Sequence, residues 1–415
     1  MTDTKKRNRC IVRLASAKVP VRDIEGYVAR KFPPAITRRR IRQIATAAGI
    51  VFDIQNTGDL VADDVLEKIV LLELRRGGVN YGYRLLMPDI EDQLPAGTRV
   101  SQRQLLRVLF NLAPAAFQAR LTQATRKLTR RTVFAPYRGF RWEIDSNEKL
   151  AFVGLHITGI WDSCCHRNER MVVVDNKLPY TQFKEVTEPL IGMLGFPDTL
   201  CRDKGDENML TGFVCRAAAA DDGRLAADGS WTGPKPDRML PSKRQPGIER
   251  SWAESNSRVA LPVYSLVDAM EASNLLDLTQ PTHLGAMQQL LRPLVQHACD
   301  LLRHRWNRHL VRSGRRPSGI PDRIAEQHPH PGGRSQLLPG IDFVARFERA
   351  RGKPMRKEPA WRARRDSLHG QPNNQAARTH AVMLIWGSPE LAWTDILLYA
   401  GRHRFVPAFR EFLRH

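Results

Sequence analysis

Three acidic residues stand where extended runs end and where a helix begins. Asp145 closes the run Phe140-Arg-Trp-Glu-Ile144, and Asp203 closes Thr199-Leu-Cys-Arg202. Glu249 opens a helical stretch in Gly247-Ile-Glu-Arg-Ser-Trp252. Carboxylates at strand carboxyl ends facing a crevice can hold Mg²⁺, which takes one or two carboxylates, waters and substrate phosphate oxygens. Two such ions roughly 3.5–4 Å apart activate an attacking oxygen and steady a leaving one, the chemistry of phosphodiester cleavage. The alternative is three solvated strand-end carboxylates. With 43 acidic residues in 415, spacing alone does not decide between them.

The elements that must position these acids have a clear order. Short β-rich runs occur at 140–144, 152–161 and 171–174. An amphipathic helix follows from Thr181 to Leu194, with Phe183, Val186, Leu190 and Leu194 inward. Gly195-Phe-Pro197 ends it before the strand at 199–202, and helices dominate 248–310. Three strands, a helix, a strand and helices predict an α/β layer fold with a mixed sheet. Residues 216–246 read as a loop insertion.

Charge divides the chain differently. Lys and Arg total 65, giving a net charge of +22. Residues 1–50 carry 13 basic and 3 acidic side chains, and residues 301–380 carry 18 and 6, so the body between them is close to neutral. Cationic ends flanking a neutral body point to a polyanion, most simply nucleic acid, bound with steep salt dependence. Residues 20–50 read as two short helices around Pro33-Pro34. Thr37 caps the second, which presents Arg38, Arg39, Arg40 and Arg42, as a helix-turn-helix would. A solvated basic helix in a small bundle is the other reading. A helix at 63–76 starts with Asp63-Asp64 and ends with Arg75-Arg76 before Gly77-Gly78. Another begins at Ser101, either in a second helix-turn-helix or as a plain packing helix.

Six cysteines without a C-x-x-C do not make a disulfide scaffold. The first histidine is His156 and only Cys10 precedes it among cysteines, so no zinc module is expected before the acidic core. The apolar stretch near 381–400 is broken by Ser388-Pro-Glu390 and Asp395, so no membrane span is expected.

The words around the three acids resemble the DDE-type integrase core, specifically the integrase-core, transposase-like proteins of eukaryotes. Trp142-Glu-Ile-Asp-Ser-Asn-Glu-Lys-Leu150 resembles the family's Trp-His-Ile-Asp-Gly-Asn-His-Lys-Leu. Gly154-Leu-His-Ile-Thr-Gly-Ile-Trp-Asp162 is similar to its Gly-x-x-Ile-x-Gly-x-x-Asp strand, and Asp203-Lys-Gly-Asp-Glu-Asn208 to its Asp-Lys-Gly-Gly-Glu-Asn. Ile248-Glu-Arg-Ser-Trp252 resembles Ile-Glu-Arg-Leu-Trp. Upstream Asn80-Tyr-Gly-Tyr-Arg84 and downstream Trp306-Asn-Arg-His309 also fit. The likeness runs over about residues 65–315.

The resemblance implies an RNase H-like fold with Asp145, Asp203 and Glu249 as a catalytic, metal-binding triad for Mg²⁺, or Mn²⁺ in its place. It implies DNA integration by strand cleavage and transfer, double-stranded DNA as partner, a homo-oligomer on that DNA, and a nuclear site of action. A catalytically inactive, domesticated nucleic-acid-binding protein using the core as a scaffold is the alternative. Phosphate contacts are expected from the four arginines at 38–42, from Lys149, Lys204 and Arg250, and from Arg303, Arg305, Arg308, Arg312, Arg315 and Arg316. The domains then read 1–60, a basic helix-turn-helix-like region; 61–135, a helical DNA-binding or linker region; and 136–275, the core. Helices at 276–316 and a basic, partly disordered tail at 317–415 with a short terminal helix follow.

Two departures from the family bear on the site. The gap from Asp203 to Glu249 is longer than usual, and Pro241-Ser-Lys-Arg-Gln-Pro-Gly247 replaces the usual approach. The fifth strand is expected to shrink to Gly229-Ser-Trp231 or vanish, which would misplace the Glu249 helix. Asp206 adds a charge beside Asp203.

Overall fold

Ile11, Ile24, Val28, Ile41 and Ala45 recur at helical spacing and are buried against one another. They form the core of a unit made of Met1–Asp63 and Leu94–Ser101. Helix α1 (Asp3–Ser16) brings Ile11, and α2 (Arg38–Ala47) brings Ile41 and Ala45. Thr37 Oγ1 accepts from the Arg40 amide at 3.3 Å, the expected cap. Ala45 faces inward and Ala48 is exposed. The structure, a computed structural model, describes residues 3–16, 24–25, 27–28, 31–32, 36–48, 59–124, 133–241, 245–311, 319–332, 341–357 and 372–414.

The second unit, Asp64–Gln93 with Gln102–His415, holds everything else. Helix α3 (Asp63–Gly77) runs as its charge pattern predicts, and α4 (Tyr83–Asp92) follows it. Helix α5 (Gln102–Leu112) buries Leu105, Val108 and Leu109, and α6 is Pro114–Ala124.

The sheet is built from β1 (Arg141–Asn147), β2 (His156–Asp162), β3 (Asn168–Val174), β4 (Thr199–Arg202) and β5 (Asp237–Met239). Their order is β3-β2-β1-β4-β5. The first three strands are antiparallel neighbours, while β4 and β5 run parallel to β1, so the sheet is mixed. Side chains alternate along β1. Trp142 and Ile144 enter an apolar layer with Ile160, Val174 and Leu200. Helix α7 covers that layer with Phe183, Val186 and Leu190; it joins Pro179–Thr181, a π-helical Gln182–Thr187 and Glu188–Leu194. Helix α8 (Met209–Asp221) adds Leu210 and Val214.

The fifth strand is a correction. It neither vanishes nor lies at 229–231, where Leu225 and Trp231 make only an isolated bridge. Strand β5 forms because a buried ion pair holds it to β4. Arg202 donates to both Asp237 oxygens, at 2.9 and 3.1 Å. The pair lies so close to α8 that a Cβ on Gly212 would stand 2.6 Å from Arg202 Nε.

Helix α9 (Pro246–Ser255) passes through a π-helical Asn256–Ala260 into α10 (Leu261–Ala272). Helix α11 (Pro281–Arg308) then closes the outer edge of the sheet. Gln296 accepts from the Val173 amide at 2.9 Å and donates to the Met171 carbonyl at 3.0 Å. Asn307 does the same to both backbone groups of Asn168. These amides occupy polar groups that an edge strand would otherwise present to another chain.

The segment at 317–415 holds more helix than its composition suggests. Helices α12 (Pro321–Gln327), α13 (Phe343–Arg351), α14 (Pro372–Trp386), α15 (Pro389–Tyr399) and α16 (Phe405–Arg414) occupy it. Phe343 and Phe347 join the core of the sheet, and the Asp395 carboxylate accepts from the Arg404 and Phe405 amides at the start of α16. No single described helix is long and apolar enough to cross a membrane. One bent pair, Arg378–Trp386 with Pro389–Tyr399, passes that test together.

Candidate active site

Strand register puts the two aspartates side by side. Trp142 pairs with Leu200 and Glu143 with Cys201 in the parallel β1–β4 ladder. Two residues further along the same register, Asp203 comes level with Asp145 on the neighbouring strand, and adjacent strands lie about 4.8 Å apart. Asp203 leaves β4 in a tight turn in which its Oδ1 accepts from the Gly205 amide at 3.0 Å. A Cβ on Gly205 would meet Asp203 Oδ1 at 3.1 Å and the Glu207 carboxylate at 2.3 Å, so a side chain there would push both carboxylates aside.

Helix α9 lies on the face that carries Asp145. Gly159 of β2 pairs with Asp145, and a Cβ on it would stand 2.8 Å from Trp252 and 3.0 Å from Ile248. The absent side chain is what lets α9 approach. Three alternate residues of β1 then grip the helix in sequence. Glu143 Oε2 accepts from the Gly247 and Ile248 amides at 3.1 and 3.3 Å. Asp145 Oδ2 accepts from Trp252 Nε1 at 2.8 Å. Asn147 donates to Asn256 Oδ1 at 2.7 Å, where the π-helical segment starts. With its amide oriented to satisfy both partners, Gln245 donates to the Cys201 carbonyl at 3.1 Å and accepts from the Asp203 amide at 3.3 Å. The start of α9 is thereby tied to both aspartate strands. The long connection from Asp203 does not carry Glu249 away, because the extra residues are absorbed before α9 begins.

Burial pushes the Asp145 carboxyl up to about 6, with the Asp203 and Glu249 charges adding to the rise and the Trp252 and Ser146 hydrogen bonds opposing it. Glu249 is exposed, and its carboxylate has no hydrogen-bond partner among the described residues. Carboxylate oxygens are hard donors of the kind a divalent cation takes, and its charge would offset the Asp203 and Glu249 charges that raise Asp145. Asp206 is exposed at the start of a 3₁₀ turn (Asp206–Asn208). Lys177 bridges Glu148 and Glu207, linking the segments that follow the first and second aspartates.

A second acidic group lies at the far end of β2. Donor atoms of Asp162, Cys165 and Glu169 fall within 4.8 Å of one another, and all three residues are buried. Their partners are already in place. Glu169 accepts from Arg138 at 2.8 and 3.0 Å and pairs with Arg167. Asp162 accepts from the Gly139, Cys164 and Cys165 amides. Burial raises the Cys165 thiol well above its ordinary value, so it is held as a thiol. This cluster is a folding feature of the sheet's opposite edge.

The basic residues expected at DNA separate into groups. Lys149, Lys204 and Arg250 are exposed beside the three acids, and Arg250 also pairs with Glu254 at 3.0 Å. Arg40 is exposed on α2, while the side chains of Arg38, Arg39 and Arg42 lie outside the described residues, as do Arg312, Arg315 and Arg316. Arg305 is a correction. Fully buried, it pairs with Glu73 of α3 and, at 2.7 Å, with Asp89 of α4, and lies 4.3 Å over the Tyr81 ring. It is buried because α11 crosses α3 and α4 at that point. Arg308 is half-buried and pairs with Asp92 at 2.6 Å, and Arg303 stays near Asp300.

Sequence reasoning missed Glu143, Gln245 and Lys177. The one available signal was that Glu143 replaces a histidine of the family word. Trp142, Trp161 and Trp252 are all buried, and Trp252 also reaches an acid.

Residues 134–324 match the family model described as the integrase core domain. No curated protein matches the chain. Domains of this family generally depend on a divalent metal. With the five-stranded mixed sheet flanked by helices, the match makes residues 134–324 similar to an integrase core domain, RNase H-like in fold, and supports an integrase- or transposase-like, nucleic-acid-related function.

Proposed function

We propose that the protein is a DDE polynucleotidyl transferase that cuts double-stranded DNA and joins the cut end to a second duplex. The observations that support this reading are the strand register that brings Asp203 level with Asp145 and the Trp252–Asp145 hydrogen bond that ties the helix of Glu249 to β1, with the Asp203 and Glu249 charges both raising Asp145. Asp145 and Asp203 supply fixed oxygens from adjacent strands, and Glu249 supplies a third from α9. Mg²⁺ or Mn²⁺ held there would activate the attacking oxygen and neutralise the leaving one. Lys149, Lys204 and Arg250 would contact phosphates around the acids without reading bases. The net charge of +22 adds non-specific affinity, and the basic segments fit a nuclear site of action. Joining two ends calls for at least a dimer on DNA.

The test is metal-dependent nicking and strand transfer on labelled duplex DNA. Wild type is expected to cut with Mg²⁺ or Mn²⁺, and Asp145→Asn and Asp203→Asn are expected to be inactive. Salt-sensitive binding without cutting in all three proteins would reduce the core to a scaffold.

A further inference from the structure

We propose that Glu143 is a positioning residue: its carboxylate caps the first turn of α9 and so sets where Glu249 stands. The inference rests on the reading of Asp145, Asp203 and Glu249 as the metal-holding acids. It goes beyond that reading because Glu143 is none of the three.

The geometry is specific. Glu143 is 1% exposed, two residues before Asp145 on the same face of β1. Its Oε2 receives the Gly247 and Ile248 amides, which α9 cannot satisfy within itself. Its Oε1 is fixed from the other side by Ser163 Oγ at 2.9 Å and Arg141 Nη2 at 3.1 Å. A negative charge at a helix N-terminus is also favoured by the helix dipole. Within α9 itself, the N-cap residue Gln245 makes no side-chain capping bond. The cap is instead supplied from 104 residues away in sequence by the strand that carries Asp145.

Glu249 follows the capped amides directly, so the carboxylate that fixes Gly247 and Ile248 also fixes the backbone of the third acid. Pro246 and Gly247 fit the arrangement. Proline at the first helical turn needs no amide partner. A Cβ on Gly247 would stand 2.2 Å from Trp161 Nε1. Substituting Glu143 should therefore loosen the first turn of α9 and lower metal affinity while leaving the sheet intact.

The experiment compares the full-length chain with Glu143→Ala, Glu143→Gln and Asp145→Asn. Two quantities are read: amide hydrogen exchange at Gly247 and Ile248, and Mn²⁺ binding by electron paramagnetic resonance. Glu143→Ala is expected to speed exchange at those amides about tenfold, the usual consequence of losing a helix cap. It should weaken Mn²⁺ binding in parallel. Glu143→Gln keeps an oxygen acceptor and a folded chain, and should recover most of both. Unchanged exchange in Glu143→Ala would overturn the cap. Faster exchange with unchanged Mn²⁺ binding would overturn its role in placing Glu249. If Asp145→Asn binds Mn²⁺ as wild type does, the triad reading fails by a separate measurement, and the exchange data still judge the cap.

Discussion

Trp252 Nε1 donates to Asp145 Oδ2 at 2.8 Å, joining the helix of the third acid to the strand of the first. One turn separates Trp252 from Glu249, so the indole fixes an oxygen of Asp145 and the pitch of α9 together. Trp252→Phe removes the donor and also the outer ring atoms, Cη2 and Cζ2, that pack on Gly159. The loss of one hydrogen bond to a charged group should cost about 1.5–3 kcal/mol of stability. DNA cleavage should fall about tenfold or more, since misplacement of reacting groups is penalised steeply. Urea melts and single-turnover cleavage check the two effects separately.

Gly159→Ala is expected to be worse for activity than for folding. The new methyl would meet Trp252 at 2.8 Å and Ile248 at 3.0 Å, and neither has a free direction of retreat in a buried face. Overpacking of this kind costs about 1–3 kcal/mol. A helix lifted by a fraction of an ångström carries Glu249 with it, and cleavage should drop about a hundredfold. Intact far-ultraviolet circular dichroism alongside lost cleavage is the expected pair of results.

The strands were legible because alternation and a buried face write themselves into sequence. Thr199–Arg202 has the bounds expected of it. The acids were legible because family words surround them. Strand β5 was not, since three residues cannot show a period and Asp237 holds its place through Arg202. The described helices of the tail were hidden by a composition rich in Arg, Pro and Gly, because their support comes from distant contacts such as Phe343 and Phe347 against the sheet. Glu143 was invisible as a cap for the same reason: helix-cap rules look a few residues upstream, and this cap arrives from another strand.

Arg305 should behave as a core residue. Replacing it with Met removes the buried cation shared by Glu73 and Asp89, which are 0% and 8% exposed, and leaves them the more exposed Arg76 at 3.1 Å and Arg308 at 3.5 Å. Breaking a buried pair from one side costs about 3–5 kcal/mol. Arg305→Met should therefore melt far earlier than wild type. In the fraction that remains folded, the salt dependence of DNA binding should be unchanged. A phosphate-contacting arginine would show the reverse, a normal melt and a salt slope smaller by about one.

His309 supplies a pH dependence of stability. Burial lowers its ring to about 4, and the nearby Arg84, Arg250 and Arg258 charges lower it further, against the opposing hydrogen bond to the Trp306 carbonyl. The ordinary value is 6.5, so the unfolded chain takes up a proton well before the folded one does. The contribution is fully present above pH 6.5 and is lost as pH falls from 6.5 to about 4. A shift of this size corresponds to about 3 kcal/mol. His309→Gln does not titrate and retains an amide that can donate to Trp306. Urea melts at pH 7.5 and at pH 4 should show wild type losing about 3 kcal/mol more than the variant across that interval. Equal losses in the two proteins would mean that the ring is protonated inside the fold, with the three arginines too far off or too well screened to prevent it.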